Sequence, residues 1–549
     1  MRIISRTALI IGVILSACAT AAAPNPWPAA TTAVTTTTQP FTPATPCTDY
    51  FVRHPLTHTV MLPPPVTLFA SNGSGVATGD VNNDGLSDIV LANVAGDTTL
   101  ALNNGDMTFR EYPLGLPYTR AVQIIDIDGD GLRDISVTHR GAGISMLKNT
   151  GGAVPQFVRM PHGIHHVLAY SMLWHDFNGD GLLDVATGSY DAEVVRGGQQ
   201  SLFDNHSRGV FVHTQQPDGT FVSERLATEA NALAMTALDI DANGLDDLVV
   251  GNDFDLRDHV WLRHANTWTA REPFTSTPHS TMSYDVGDID RDGQGELFAA
   301  DMNPYQTDVV TMAAWLPVTS NMNQFHPADD PQLMENALLQ RQPNSTWSTV
   351  GRRVAVTATG WSWSSRFADF DNDGWRDLYV VNGMIAQELF PYLPDATLVE
   401  HNQALRFDGS RFVPMPQWHL DDTASGRGMA VADFDNDGDL DVVVNNLQAA
   451  SVVFENQLCT GDALTLSLHQ PGTNSAAIGA QVRLVFTDSQ IWEGVVSGRG
   501  YLSGDSLTLH FGLGSRTPHT LDIRWPDGQT SRIDHPPVNQ HLSVTRSNP

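Results

Sequence analysis

Lysine is almost missing from this chain of 549 residues: Lys148 is the only one, against 61 acidic residues and a net charge of −31. Schiff-base or lysine-base chemistry therefore has one candidate, and the acid excess excludes the basic surface that nucleic acids require. Cysteine is scarce too. Cys18, Cys47 and Cys459 are too few for a disulfide-dense scaffold or a multi-cysteine zinc site. No His-Glu-x-x-His, Gly-x-Ser-x-Gly or phosphate-loop pattern occurs. The chain thus reads as a non-enzyme, with an unmarked acid–base pair of carboxylates as the alternative. The apolar run Ala8 to Leu15 is too short to cross a bilayer. What remains is a folded, turn-rich composition, 41% hydrophobic with 45 Gly and 32 Pro, long enough for several domains or one large repeat domain.

The N-terminus has the order of an export signal: Arg2 and Arg6, the apolar run, then Leu15-Ser16-Ala17-Cys18. That tetrapeptide resembles the bacterial lipobox, which implies a signal peptide over residues 1–18 and a lipid on Cys18. Residues 19–46 are rich in Pro, Thr and Ala, including Thr35-Thr36-Thr37-Thr38, and the stretch 19–55 reads as an extended tether. Anchor and tether together predict a folded part outside the cytoplasm, at the cell envelope or surface, touching membrane through the lipid alone. With Cys18 lipidated, Cys47 and Cys459 remain as a candidate disulfide pair in a compartment that permits one.

Aspartate is abundant, and it is patterned. Asp80-Val81-Asn82-Asn83-Asp84-Gly85-Leu86-Ser87-Asp88 places oxygen side chains at positions one, three, five and nine and glycine at six. Oxygen donors at this spacing suit a hard cation, and the glycine allows the turn that points them inward. The pattern occurs seven times. Its candidate ligands are Asp80, Asn82, Asp84 and Asp88; Asp126, Asp128, Asp130 and Asp134; Asp176, Asn178, Asp180 and Asp184; Asp239, Asp241, Asn243 and Asp247; Asp288, Asp290, Asp292 and Glu296; Asp369, Asp371, Asp373 and Asp377; and Asp433, Asp435, Asp437 and Asp441. These positions hold 25 of the 61 acidic residues, so up to seven calcium ions would offset much of the acidity. An EF-hand is excluded, because position twelve is Leu91, Val137, Thr187, Val250, Ala299, Val380 or Val444 in place of Glu.

Each motif runs into a short apolar or β-branched segment such as Ile89-Val90-Leu91, and motif starts lie 46, 50, 63, 49, 81 and 64 residues apart. Four strands per unit at that period predict an all-β, seven-bladed β-propeller over residues 56–459. Its metal motifs fall in hairpin loops, and Val60 to Phe69 is available to close the last blade. On these repeats the chain resembles the FG-GAP/VCBS family, whose calcium-loop blades also occur in integrin α-subunit propellers. The resemblance implies that the ninth acid closes each ion site and that position seven offers a backbone carbonyl. With four aspartates each, the copies at Asp126, Asp369 and Asp433 are expected to bind most tightly; Glu296 stands where the other copies have Asp.

The longest interval carries an insertion at about 300–350, in which Pro331 to Gln342 looks helical. Trp315, Trp361 and Trp363 suit either a sugar-stacking surface or the core. His162, His165 and His166, with His175 nearby, read as loop and strand residues, with a second metal site as the alternative. Residues 460–545 form a small β-domain containing Gly498-Arg499-Gly500-Tyr501, His510-Phe511-Gly512-Leu513-Gly514 and Trp525-Pro526-Asp527-Gly528. This wording resembles the ASPIC/UnbV domain found behind such propellers in cartilage acidic proteins and bacterial exported proteins. The resemblance implies fold-defining residues and no catalytic role. The expected function is adhesion or extracellular binding of a protein or glycan. A glycan-active enzyme or lectin and an envelope scaffold are the alternatives.

Overall fold

The computed structural model describes residues 27, 29–43, 46–196, 206–254, 256–265, 267–323 and 330–547. Cys18 and the signal segment 1–18 lie outside them. The chain is all-β and propeller-like. Among the described residues, consecutive antiparallel sheets begin with Val76–Gly79, Thr119–Ile125, Ala169–His175, Ala232–Leu238, Ser283–Gly287, Gly360–Ala368 and Ser425–Ala432. Each of these first strands touches the next in order, and Ser425–Ala432 touches Val76–Gly79, so the sheets close into a ring. The first strands are almost wholly buried, which explains why their sequences read as apolar or small-residue runs without alternation.

Every acidic motif is the loop joining the first two strands of its sheet. The residue before the motif pairs across the hairpin with the ninth position in each copy: Gly79 with Asp88, Ile125 with Asp134, His175 with Asp184, Leu238 with Asp247, Gly287 with Glu296, Ala368 with Asp377 and Ala432 with Asp441. All seven loops therefore emerge on one face of the ring.

The sequence reading of residues 19–55 as a tether is corrected at 34–40 and 51–55, while 19–26, 28 and 44–45 lie outside the described residues. Val34–Pro40 pairs in register with Gln540–Arg546 of the C-terminal module, and Phe51–Thr59 is the outer strand of the last sheet, beside Ala450–Asn456. The first is an edge strand held by backbone bonds, its side chains nearly all exposed, so it carries no hydrophobic signature. The second does the work expected of Val60 to Phe69, where only Val60 makes a bridge, to Leu447. Cys47 and Cys459 are disulfide-bonded beside this seam, with Cα atoms 5.6 Å apart.

The helix expected over Pro331 to Gln342 is also corrected. Ala337–Arg341 is the third strand of the fifth sheet, because Ala337, Leu338 and Leu339 are buried against Leu297, Phe298 and Ala299. The helix lies at Val309–Asn323, started by Asp308, whose carboxylate accepts from the backbone N–H groups of Val310 and Thr311.

The C-terminal module is two four-stranded sheets. One comprises Val34–Pro40, Gln540–Arg546, Asp462–His469 and Leu509–Gly514. The other comprises Gln490–Gly494, Gln481–Val485, Thr520–Arg524 and Thr530–Asp534. The connection between Gly494 and Leu509 leaves this sandwich and enters the ring. Gly504 pairs with Ala77 and Gly500 with Tyr284; the Val122 N–H donates to the Leu502 carbonyl, and Ser497 Oγ exchanges hydrogen bonds with the Trp174 backbone. Tyr501 is fully buried, edge-on to Trp363 at 5.2 Å between ring centres. This plug explains the Gly498-Arg499-Gly500-Tyr501 wording. Gly500 has φ of +66°, and a Cβ there would meet Ser364 Oγ at 2.3 Å.

Candidate metal loops at a domain interface

Three hydrogen bonds recur in all seven loops and fix their shape. The N–H of position two donates to the ninth carboxylate, as from Val81 to Asp88 at 3.0 Å. The N–H of the glycine at six donates to the first aspartate. The N–H of position seven donates to the fifth side chain. The glycines lie at φ from +85° to +93°, where a side chain would strain the turn.

In five copies the carboxylates of positions one, three and nine each offer an oxygen within 4.8 Å of the others: Asp126, Asp128 and Asp134; Asp239, Asp241 and Asp247; Asp288, Asp290 and Glu296; Asp369, Asp371 and Asp377; Asp433, Asp435 and Asp441. In the copies at Asp80 and Asp176, position three is Asn82 or Asn178, whose amide bonds the fifth-position Asp84 or Asp180. The donor set suits a hard divalent cation. Oδ1 of Asp128, Asp288, Asp371 and Asp435 is buried with no hydrogen-bond partner, and a coordinated ion would satisfy such atoms. Asp130, Asp292, Asp373 and Asp437, at position five, stand outside the close trios of their copies.

Burial pushes the ninth carboxyl up in every copy. It reaches about 7 for Asp88, Asp134 and Asp247 and about 8 for Asp184, and Glu296, Asp377 and Asp441 are also raised, with the other loop acids adding repulsion. A raised carboxyl makes the metal-free folded chain bind more protons than the unfolded chain between the ordinary value of 3.8 and about 8. The chelated protein should therefore lose stability as pH rises from 5 to 8, and calcium should reverse that slope. Melting curves across this range, with and without chelator, test it; parallel curves would refute it.

The loop face is not free surface. Ser475 Oγ donates to Asp126 at 2.7 Å, and Thr473 Oγ1 to the Gly181 carbonyl at 2.8 Å. Arg524 donates to the Gly244 carbonyl, Gln490 to that of Asp292, and the Trp492 N–H to Asp288. The Gly514 N–H donates to the Asn372 carbonyl, and a His510 ring nitrogen lies 3.0 Å from that of Gly438. The sandwich thus rests on six of the seven loops. A Cβ at Gly512 would meet an Asp369 oxygen at 2.0 Å, which accounts for the Gly-Leu-Gly wording.

Buried charges tie the plug to the ring. Arg366 bridges Asp285 and Asp505; Arg499 reaches Asp285 at 3.2 Å and Glu493 at 3.3 Å; Arg376 also pairs with Glu493. A cavity of about 330 Å³ between ring and sandwich is lined by Asp80, Arg133, His469 and His541 among others.

The other sequence candidates resolve into structure. Trp315, Trp361 and Trp363 are buried, and Trp315 Nε1 and the Trp361 N–H both donate to Glu400, whose carboxyl burial raises to about 7. His166 and His213 flank Thr187 Oγ1 at 2.6 and 2.8 Å, and His175 lies 3.4 Å from Asp246. Sequence reasoning missed Glu400, the plug and the third-strand residues beside the loops. A register count from each ninth position would have found the last of these.

A ring of acid-looped sheets sealed by a plugging sandwich defines a repeat-protein class. The chain carries FG-GAP-like repeats, matched at residues 80–137, 239–299 and 396–444, and an ASPIC and UnbV domain, matched at 470–549. It is similar to cartilage acidic protein 1, which has the same domain pairing: 30% identical over 169 residues to the human and mouse proteins. Those matches cover 30% of this chain, 24% of the human protein and 25% of the mouse protein. Among solved structures, the chain is similar to BBS1N from its complex with ARL6DN, at TM-score 0.39 and 9% identity over 70% of this chain and 94% of that one. A functionally unknown protein from Desulfotomaculum acetoxidans gives 0.36 and 9% over 64% and 86%, and a Bacillus licheniformis rhamnogalacturonan lyase 0.29 and 11% over 74% and 76%. At these scores and identities, nothing of their chemistry transfers to this chain.

Proposed function

We propose that the chain is a calcium-stabilised, seven-bladed propeller that binds an extracellular protein or glycan from the cell envelope, with Cys18 as lipid anchor. The carrying observation is the use made of the loops: six of the seven support a docked domain, which bonds directly to the ligand carboxylates of Asp126 and Asp288, so bound calcium has a structural task. The axial plug and the buried tryptophans support binding over catalysis, because they leave neither an open channel nor an aromatic stacking platform at those places. The insertion helix instead exposes Val309 and Val310, 85% and 80% accessible, and this outer surface suits a ligand. No helix among the described residues is long and apolar enough to cross a membrane, and the proposed anchor is lipid.

The alternatives are a glycan-active enzyme or lectin, for which the cavity between ring and sandwich offers a groove, and a pure scaffold that recognises envelope proteins alone. A glycan array, a reducing-end assay on acidic and neutral polysaccharides, and co-purification from intact membranes separate the three. Retention of a glycan or protein without turnover is expected, weakening on chelation. Sustained release of reducing ends would overturn the binding reading.

A further inference from the structure

The seven loops differ in the residue of the third strand that lies opposite the ninth position. Leu102, Thr214 and Leu262 are uncharged in the first, third and fourth sheets, as is Gln340 in the fifth. In the second sheet the place is taken by Lys148, whose ammonium contacts Asp128 and lies 2.8 Å from Asp130. In the sixth it is Arg406, whose guanidinium contacts Asp371 and Asp373. In both cases the cation takes Oδ2 of the position-three aspartate, Asp128 or Asp371, while its Oδ1 stays buried and unpartnered. The same arrangement thus arises twice, in sheets far apart on the ring, each time beside a loop with four carboxylates. The seventh sheet does the opposite. There Glu455 stands beside a loop that already has four carboxylates, with its own carboxylate 2.7 Å from a His54 ring nitrogen.

We propose that this third-strand residue sets the charge each loop offers to a divalent ion. Lys148 and Arg406 trim the loops at Asp126 and Asp369 to the net charge of the Asn-containing loops, and Glu455 makes the loop at Asp433 the most avid. The inference rests on the calcium reading above and revises the ranking by aspartate count, which placed these three loops together. A fixed cation a few ångströms from a divalent ion opposes its binding, and a further carboxylate favours it.

The test is calcium titration of the chelated full-length chain by calorimetry, with terbium luminescence as a second readout. Lys148→Met and Arg406→Met should each raise affinity at one site about tenfold, and Glu455→Gln should lower the tightest site by a similar factor. Lys148→Arg, which keeps the charge, should leave the isotherm unchanged, and Asp126→Asn combined with Lys148→Met should abolish the gain. Should Lys148→Met fail to fold, Glu455→Gln and Lys148→Gln carry the test. Wild-type calcium binding that none of these substitutions alters would overturn the inference. Absence of calcium binding in the wild type is a different result and would overturn the calcium reading itself.

Discussion

Removing calcium from the intact chain should lower its melting temperature by about 4–11 °C, given typical extracellular dissociation constants of ~0.1–1 mM and per-residue unfolding entropies. At about 2 mM calcium each filled site contributes roughly 0.6–1.8 kcal/mol by mass action, or some 4–13 kcal/mol for seven. The loss should also be felt between the domains, because Ser475 and the Trp492 N–H bond directly to the loop carboxylates Asp126 and Asp288. Without an ion, the raised carboxyls at the ninth positions favour protonation and the loops lose the centre that orders them. Limited proteolysis should then cut the connection near Thr460 faster than it cuts the blades. Scanning calorimetry in chelator, followed by recovery on adding calcium, is the direct measurement. An unchanged melting temperature would end the idea that these loops are structural metal sites.

Asp505→Ala is expected to cost about 3–5 kcal/mol, the usual loss when one partner of a buried charge pair is removed. Asp505 is 6% exposed, pairs with Arg366 and accepts the Val431 N–H at 3.2 Å, so its removal leaves a buried guanidinium short of charge and a backbone donor unpaired. Part of the loss should return when Arg366→Met is added, since the stranded cation goes with it. Denaturant unfolding measures both. A loss below about 1 kcal/mol would mean that packing around Tyr501 holds the plug, with little help from the ion pair.

The loops were legible because their chemistry is local: nine consecutive residues specify the turn, the donors and the following strand. The repeat period then gave the all-β, propeller-like class. Contacts made at long range left weaker marks. Val34–Pro40 has no apolar face, so its strand depends on a partner more than 500 residues away. The segment around Ala337 has helical wording, yet the open edge of Leu297–Ala299 makes it a strand. Nothing in their local sequence ties Lys148, Arg406 and Glu455 to the loops; strand register sets them there. Arg499 and Tyr501 stood out as wording, but nothing local says that they fill a ring formed by the preceding 400 residues.

The pairing of Val34–Pro40 with Gln540–Arg546 bears on the order in which the molecule can be made. The first described strand cannot find its neighbour until the last has been synthesised, a delay of about 25–100 s at common translation rates of ~5–20 residues per second. Throughout that time it is an unpaired, β-branched segment, the kind that seeds association between chains. Its threonines keep it hydrated and give it little to gain from a wrong partner. The blandness of this stretch is therefore suited to waiting, and replacing its outward threonines with valine would put nascent chains at risk while leaving the finished fold almost unchanged.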